Sequence, residues 1–199
     1  MPVEIDAQGW LAGARRAPSP HANERPVGAE IGLVVVHGVS LPPGEFGGPW
    51  VEDFFTGRLD FTAHEYFGTI RDLHVAPHLL VRRDGETVQF VSFLRRAWHA
   101  GRSVWRGREE CNDYSIGIEL EGADTIPYTD AQYLALARIL PVLIAAWPGI
   151  RKGGVVGHAD VAPGRKTDPG PAFDWQRLDV ALGAAGYNLV AGNREGERA

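Results

Sequence analysis

The stretch "IGLVVVHG", residues 31–38, limits the possible folds more than any other part of the chain. It is too short and too continuously apolar for a surface helix. It reads as a strand buried on both faces, ending at His37-Gly38. Such a strand needs cover above and below, so it belongs inside a sheet with helices packed on it. "YSIGIELEG", 114–122, supplies a second strand, in which Ile116, Ile118 and Leu120 alternate with Ser115, Gly117, Glu119 and Glu121. "GVVGH", 154–158, reads as a third strand, ending on His158. Two β-rich runs in "HLLVRRDGETVQFVSF", 78–93, flank Asp84-Gly85 and predict a hairpin.

Helical signals are fewer and lie mostly late in the chain. "WVEDFFTG", 50–57, reads as a short helix stopped by Gly57. "YTDAQYLALARILPVLIAAWPG", 128–149, is the main helix, with Thr129 as N-cap and Gln132 closing a capping box. Pro141 is expected to kink or interrupt it. "FDWQRLDVALGAAG", 173–186, is the last helix, with Asp174 as N-cap and Gly186 as C′. The expected fold class is therefore α/β, a single mixed central β-sheet flanked by α-helices. The 199 residues fit one domain, 1–199, with a core over about 9–186 and a loose tail at 187–199.

Composition excludes several functions. The formal charge of −5 and the absence of a basic stripe argue against a nucleic-acid groove. No run approaches the roughly 20 apolar residues of a membrane span. The opening "MPVEIDAQGW" lacks the apolar core of a secretory signal, so a cytoplasmic location is expected. Cys111 is the single cysteine, which rules out a disulfide within the chain and a cysteine-rich zinc site. With no nearby cation it is a poor nucleophile. Phosphate-cradling glycine motifs are absent, and Ser40 and Ser92 lack a nucleophile-elbow context.

The histidines carry the chemistry. Of the seven, His37 and His158 end short apolar strands, where a side chain leaves the core yet stays rigidly held. A catalytic zinc takes three protein ligands and keeps one position open. Two histidines and one carboxylate would meet that count. Asp168 stands in a loop stiffened by Pro163, Pro169 and Pro171, and Asp160 lies two residues past His158. Spacing does not choose between them. His74 and His78 have i, i+4 spacing, but Pro77 between them argues against a helical metal pair. Glu119, facing away from the apolar side of its strand, is a candidate general base. Glu121 shares its face. Lys166 can stabilise a developing oxyanion.

Taken together, "LVVVHG", "SLPPGEFGGPWV", "RRDGETVQFV", "RAWHAG", "CNDYSIGIELEG", "YTDAQY" and "GHADVAPGRKTDPGPAFDW" resemble the amidase_2 family, in particular its AmpD-type branch of 1,6-anhydro-N-acetylmuramoyl-L-alanine amidases. The resemblance runs from about Gly9 to Leu182. It implies the peptidoglycan-recognition-like mixed sheet and one catalytic Zn2+ on His37, His158 and Asp168 rather than Asp160. Glu119 matches the active-site carboxylate, and Lys166 the lysine at the scissile carbonyl. The implied substrate is a muropeptide, cut between anhydro-muramic acid and L-alanine during peptidoglycan recycling. Trp98, His99, Tyr66 and the 41–50 loop are expected to contact it. Gly38 replaces an expected Asn, Glu110 an expected basic residue, and Pro77 a Tyr found in related branches, leaving more of the catalysis to Glu119. Two other functions are a wall-lytic amidase acting on intact peptidoglycan and a non-catalytic muropeptide-binding module. The absent signal segment disfavours the first, and the complete ligand set the second.

Overall fold

A computed structural model describes residues 4–184 and 186 of the chain. The tail expected at 187–199 lies outside the described residues. In chain order the strands are β1 Arg15–Arg16, β2 Ala22–Glu24, β3 Leu33–Val39, β4 Leu79–Val81, β5 Thr87–Gln89, β6 Arg95–Ala97, β7 Val104–Trp105, β8 Arg108–Glu109, β9 Ser115–Glu121 and β10 Val155–Gly157. The helices are α1 Trp50–Phe55, α2 Asp130–Ala146, α3 Ile150–Gly153, α4 His158–Val161 and α5 Trp175–Ala184, with a 3-10 turn over Glu65–Ile70.

Among the described residues, β1-β5-β4-β9-β3-β10 form one six-stranded mixed sheet. β4, β9, β3 and β10 run parallel, β5 is antiparallel to β4, and β1 pairs parallel with β5. This is the mixed sheet with flanking helices that the sequence predicts. β3 sits between β9 and β10, so Leu33, Val34, Val35 and Val36 are wholly buried. Each such valine contributes roughly 1.5–3 kcal/mol by leaving water.

The two faces of the sheet have different jobs. Val34, Val36, Ile116, Ile118 and Leu120 pack under α2 and α5, against Leu136, Leu140, Leu143, Leu178 and Leu182. The opposite face carries Leu33 and Val35, with Cys111, Tyr114 and Val161 packed on them. Farther along that side, Leu80 and Val88 meet Phe54, Phe55 and Phe67.

Local signals fare well where they are self-contained. Thr129 caps α2, its Oγ1 accepting from the Gln132 N–H while Gln132 Oε1 accepts from the Thr129 N–H. Asp174 Oδ1 accepts from Arg177 N–H at the start of α5, and Gly186, at φ +82°, donates back to Gly183. The hairpin turns at 82–86 with Gly85 at φ +89°, but its arms are only three residues each.

Two expectations need correction. Pro141 does not interrupt α2, which continues from Asp130 to Ala146 with the ring accommodated inside it. His158 does not end a strand: β10 stops at Gly157, and His158 is the first residue of α4. The cause is Asp160, whose Oδ2 accepts the Gly157 N–H at 2.7 Å and turns the chain into the helix.

Candidate active site

Strand register assembles the site. His37 on β3 pairs with Glu119 on β9, and Val36 pairs with Gly157 on β10, one residue before His158. Three chemically active side chains thus come together at the carboxyl ends of adjacent parallel strands, where open α/β sheets generally form their clefts.

His37 Nδ1 lies 2.9 Å from His158 Nδ1 and 3.2 Å from Asp168 Oδ2, and His158 Nδ1 lies 3.1 Å from the same oxygen. Among the described residues this is the cluster able to hold a metal ion. Asp160 is not part of it, since its carboxylate caps Gly157. His74 and His78 do not pair either: His74 is exposed, while buried His78 accepts from Gly117 N–H through Nδ1.

The cluster fits a zinc ion. Ligands about 2.0–2.1 Å from a tetrahedral zinc stand roughly 3.3 Å apart, close to the separations found here. The outer nitrogens are also engaged. His158 Nε2 faces the Ala100 carbonyl at 3.1 Å, and His37 Nε2 faces His99 Nδ1 at 2.9 Å. With ring protons on both Nε2 atoms, two nitrogen lone pairs and a carboxylate oxygen converge on one point, an arrangement that a cation relieves. Burial and the neighbouring His158 pull His37 down to about 4, so it is neutral near pH 7 and ready to ligate. Burial opposes ionisation of Asp168, but its contacts with the His158 and His37 rings outweigh this and hold it below the ordinary carboxylate range.

The loop carrying Asp168 is pinned at several points. Its carbonyl accepts from Ala159 N–H at 3.0 Å, and the Pro169 carbonyl accepts from the Tyr128 hydroxyl at 3.0 Å. Tyr128 occupies the space beside Gly38 and Gly122, where a β-carbon at either glycine would collide with it. Gly38, which departs from the expected Asn, therefore makes room for a side chain that steadies the loop carrying Asp168.

Structure separates the two glutamates that periodicity leaves equivalent. Glu119 Oε1 stands 4.0 Å from His37 Nδ1, and its Oε2 is buried without a hydrogen-bond partner. Burial, reinforced by the Asp168 charge, raises Glu119 well above the ordinary range, while Lys166 works against the shift. Glu121 is structural. Its Oε1 accepts from Gly47 N–H at 2.7 Å, its Oε2 from Arg83 N–H at 3.2 Å, and Arg82 lies 3.6 Å away. It ties the 41–50 loop to the sheet. Glu121→Ala is expected to cost on the order of 2 kcal/mol in urea denaturation, because two backbone donors lose their acceptor.

A cleft of about 740 Å³ opens over the cluster, within the size range of small-molecule sites. Leu41, Phe55, Ile70, Leu73 and Val75 give it apolar lining, and Glu119, His158, Asp168 and exposed Lys166 give it polar lining. Tyr66, His99 and part of the 41–50 loop also line it. Trp98 does not: its indole N–H donates to Asn23 Oδ1 at 2.6 Å, and its ring packs near His21. Sequence reasoning misses Asn112, Ser115 and Tyr128. Ser115 shares the two-residue period of Glu119 and was within reach of that signal, whereas Tyr128 and Asn112 meet the site only through the fold.

Known proteins resemble the chain over most of its length. The Amidase_2 family, N-acetylmuramoyl-L-alanine amidase, matches residues 27–171. The 1,6-anhydro-N-acetylmuramyl-L-alanine amidase AmpD of Escherichia coli (strain K12) is 60% identical over 175 residues, covering 88% of this chain and 95% of that protein. A crystal structure of a Se-Met AmpD derivative aligns with a TM-score of 0.86 at 57% identity, covering 89% of this chain and 98% of the other. The Escherichia coli amidase AmiD, solved in complex with the substrate anhydro-N-acetylmuramic acid-L-Ala-D-gamma-Glu-L-Lys, aligns at 29% identity with a TM-score of 0.55, covering 90% of this chain and 65% of that one.

Proposed function

This chain belongs to the Amidase_2 family of N-acetylmuramoyl-L-alanine amidases, and from that footing we propose that His37, His158, Asp168, Glu119 and Lys166 form its hydrolytic centre. The reaction is hydrolysis of the amide between 1,6-anhydro-N-acetylmuramic acid and the L-alanine of muropeptides, in peptidoglycan recycling. The observation that supports the placement is the pairing of His37 with Glu119 across β3 and β9, beside three ligand atoms no more than 3.2 Å apart.

His37, His158 and Asp168 are the residues that would hold the ion, and two imidazole nitrogens with one carboxylate oxygen favour zinc over the all-oxygen preference of magnesium or calcium. A zinc ion there supplies Lewis acidity to the amide carbonyl and lowers the pKa of a water at the site. Glu119 takes the proton of the attacking water. Its raised proton affinity makes it a stronger base than a free carboxylate, and the proton it takes goes to the departing alanine amine. Lys166 brings a positive charge to the cleft, where negative charge grows on the carbonyl oxygen. The apolar lining gives the bond under attack low-dielectric walls that strengthen these charge interactions, and Tyr66 with the 41–50 loop orients the sugar. On this reading the protein acts in the cytoplasm, as a recycling enzyme would. No described helix is long and apolar enough to cross a membrane.

Incubating zinc-loaded protein with anhydro-muropeptide and, separately, with intact sacculi tests this reading, with products identified by mass. Release of free peptide from anhydro-muropeptide is expected, lost on chelation and restored by added zinc. No release from either substrate would mark a binding module. Release from sacculi alone would mark a wall-lytic enzyme.

A further inference from the structure

His99 has a place in the site that lining a cleft does not explain. Its buried ring sits between His37 and Ser115, with Nδ1 2.9 Å from His37 Nε2 and Nε2 3.1 Å from Ser115 Oγ. The His37 and His99 rings meet edge to face, their centroids 5.1 Å apart. Asn112 Oδ1 fixes the backbone here by accepting from the N–H groups of both His99 and Ala100, at 3.1 and 2.8 Å. Gly117 supplies the space, since a β-carbon there would collide with the His99 ring.

We propose that His99 is a positioning residue for His37: its Nδ1 accepts the His37 Nε2 proton and thereby holds His37 in the tautomer that presents Nδ1 to the metal. This rests on the metal-site reading above. A neutral imidazole carries one ring proton, so ligation through Nδ1 requires that proton on Nε2. Acceptance by His99 Nδ1 puts the His99 proton on its own Nε2, directed at Ser115 Oγ.

The two ligand histidines are therefore governed differently. His158 Nε2 faces a carbonyl, which only accepts, so its tautomer is fixed. His37 faces a second imidazole, which can accept or donate. In the reverse arrangement Ser115 donates to His99 Nε2, His99 Nδ1–H donates to His37 Nε2, and the His37 proton sits on Nδ1, facing His158 and Asp168. Both arrangements contain the same three protons. One is compatible with a bound cation, and the other satisfies the ligand cluster without one.

Two substitutions in the full-length chain separate acceptor from filler. His99→Phe keeps a ring but removes the acceptor, while His99→Gln offers an amide oxygen to His37 and an amide N–H to Ser115. Zinc affinity is read by competition with a chromophoric chelator, and ligand geometry by the visible spectrum of the cobalt-substituted protein. His99→Phe is expected to weaken zinc binding about 10–100-fold and to alter the cobalt spectrum, with His99→Gln restoring affinity to within a few-fold. A folded His99→Phe variant that binds zinc as the parent does would overturn the proposal, as would a His99→Gln variant no better than His99→Phe. Long-range proton–nitrogen NMR of the zinc-loaded parent supplies a readout that needs no variant. It should show His99 protonated on Nε2 with Nδ1 bare, and a proton on Nδ1 would refute the assignment. A parent that binds no zinc would remove the metal-site reading itself.

Discussion

Replacing Glu119 with Gln is expected to leave the metal bound while turnover falls by about 10²–10⁴, the usual contribution of a positioned general base. That range corresponds to roughly 3–5 kcal/mol of barrier. Gln has nearly the same shape and keeps an oxygen near His37, so the ligand cluster should persist. It cannot take a proton from the attacking water. The site makes the effect large: the carboxyl is enclosed, its Oε2 has no partner, and burial beside Asp168 raises its proton affinity. Metal content and kcat measured on one preparation separate the two functions. Parent-like turnover in a zinc-replete Glu119→Gln protein would remove Glu119 as the base. Loss of zinc together with activity would make it a ligand instead.

The second large effect is at Asp168. Asp168→Ala removes one of the three proposed ligands, and a metal affinity of about 10–16 kcal/mol shared among a few donors implies a loss of roughly 10²–10³-fold. Asp160→Ala should behave differently, although it is eight residues earlier in the same stretch. Its carboxylate caps the Gly157 N–H, so the expected cost is about 1 kcal/mol of stability. That is a drop of about 2–4 °C in melting temperature for a chain of this size, with zinc affinity little changed. Chelator competition and thermal melts on the two alanine variants decide the matter, and the opposite pattern would reassign the ligand.

Much of the fold is legible from local chemistry. The run Leu33–Val36 has no polar side, which demands an interior strand covered on both faces. Ile116, Ile118 and Leu120 alternate with period two, and Thr129 with Gln132 announces the start of α2. These signals need only neighbours in sequence, because side-chain alternation and capping act over a few residues. Pro141 shows where local reasoning stops. A proline disfavours an isolated helix, yet the packing of Leu136, Leu140 and Leu143 on the sheet holds α2 together through it.

The site was half legible. Strand ends point to His37 and His158, although β3 runs two residues past His37 and the chain presents His158 from the first turn of α4 rather than from β10. Trp98 is expected to contact the substrate, but its N–H is committed to Asn23. Glu119 and Glu121 share a face and a residue type, so no periodicity could separate them. Only the position of Gly47, Arg82 and Arg83 occupies one and leaves the other to the cleft.

The sequence by itself determined the elements and the donor types: a buried parallel strand, an alternating one, a capped helix, and histidines and carboxylates at the ends of stiff segments. Which of those donors meet was decided by tertiary structure. Pairing of His37 with Glu119 is a matter of inter-strand register, and the convergence of Asp168 on His158 depends on a loop held from outside by Tyr128. His37 Nε2 meets His99 Nδ1 at 2.9 Å although the two residues are 62 positions apart. Hydrogen bonds and metal ligation act over about 3 Å, a distance that residues far apart in the chain reach only once the sheet has set its register and the core has fixed its loops.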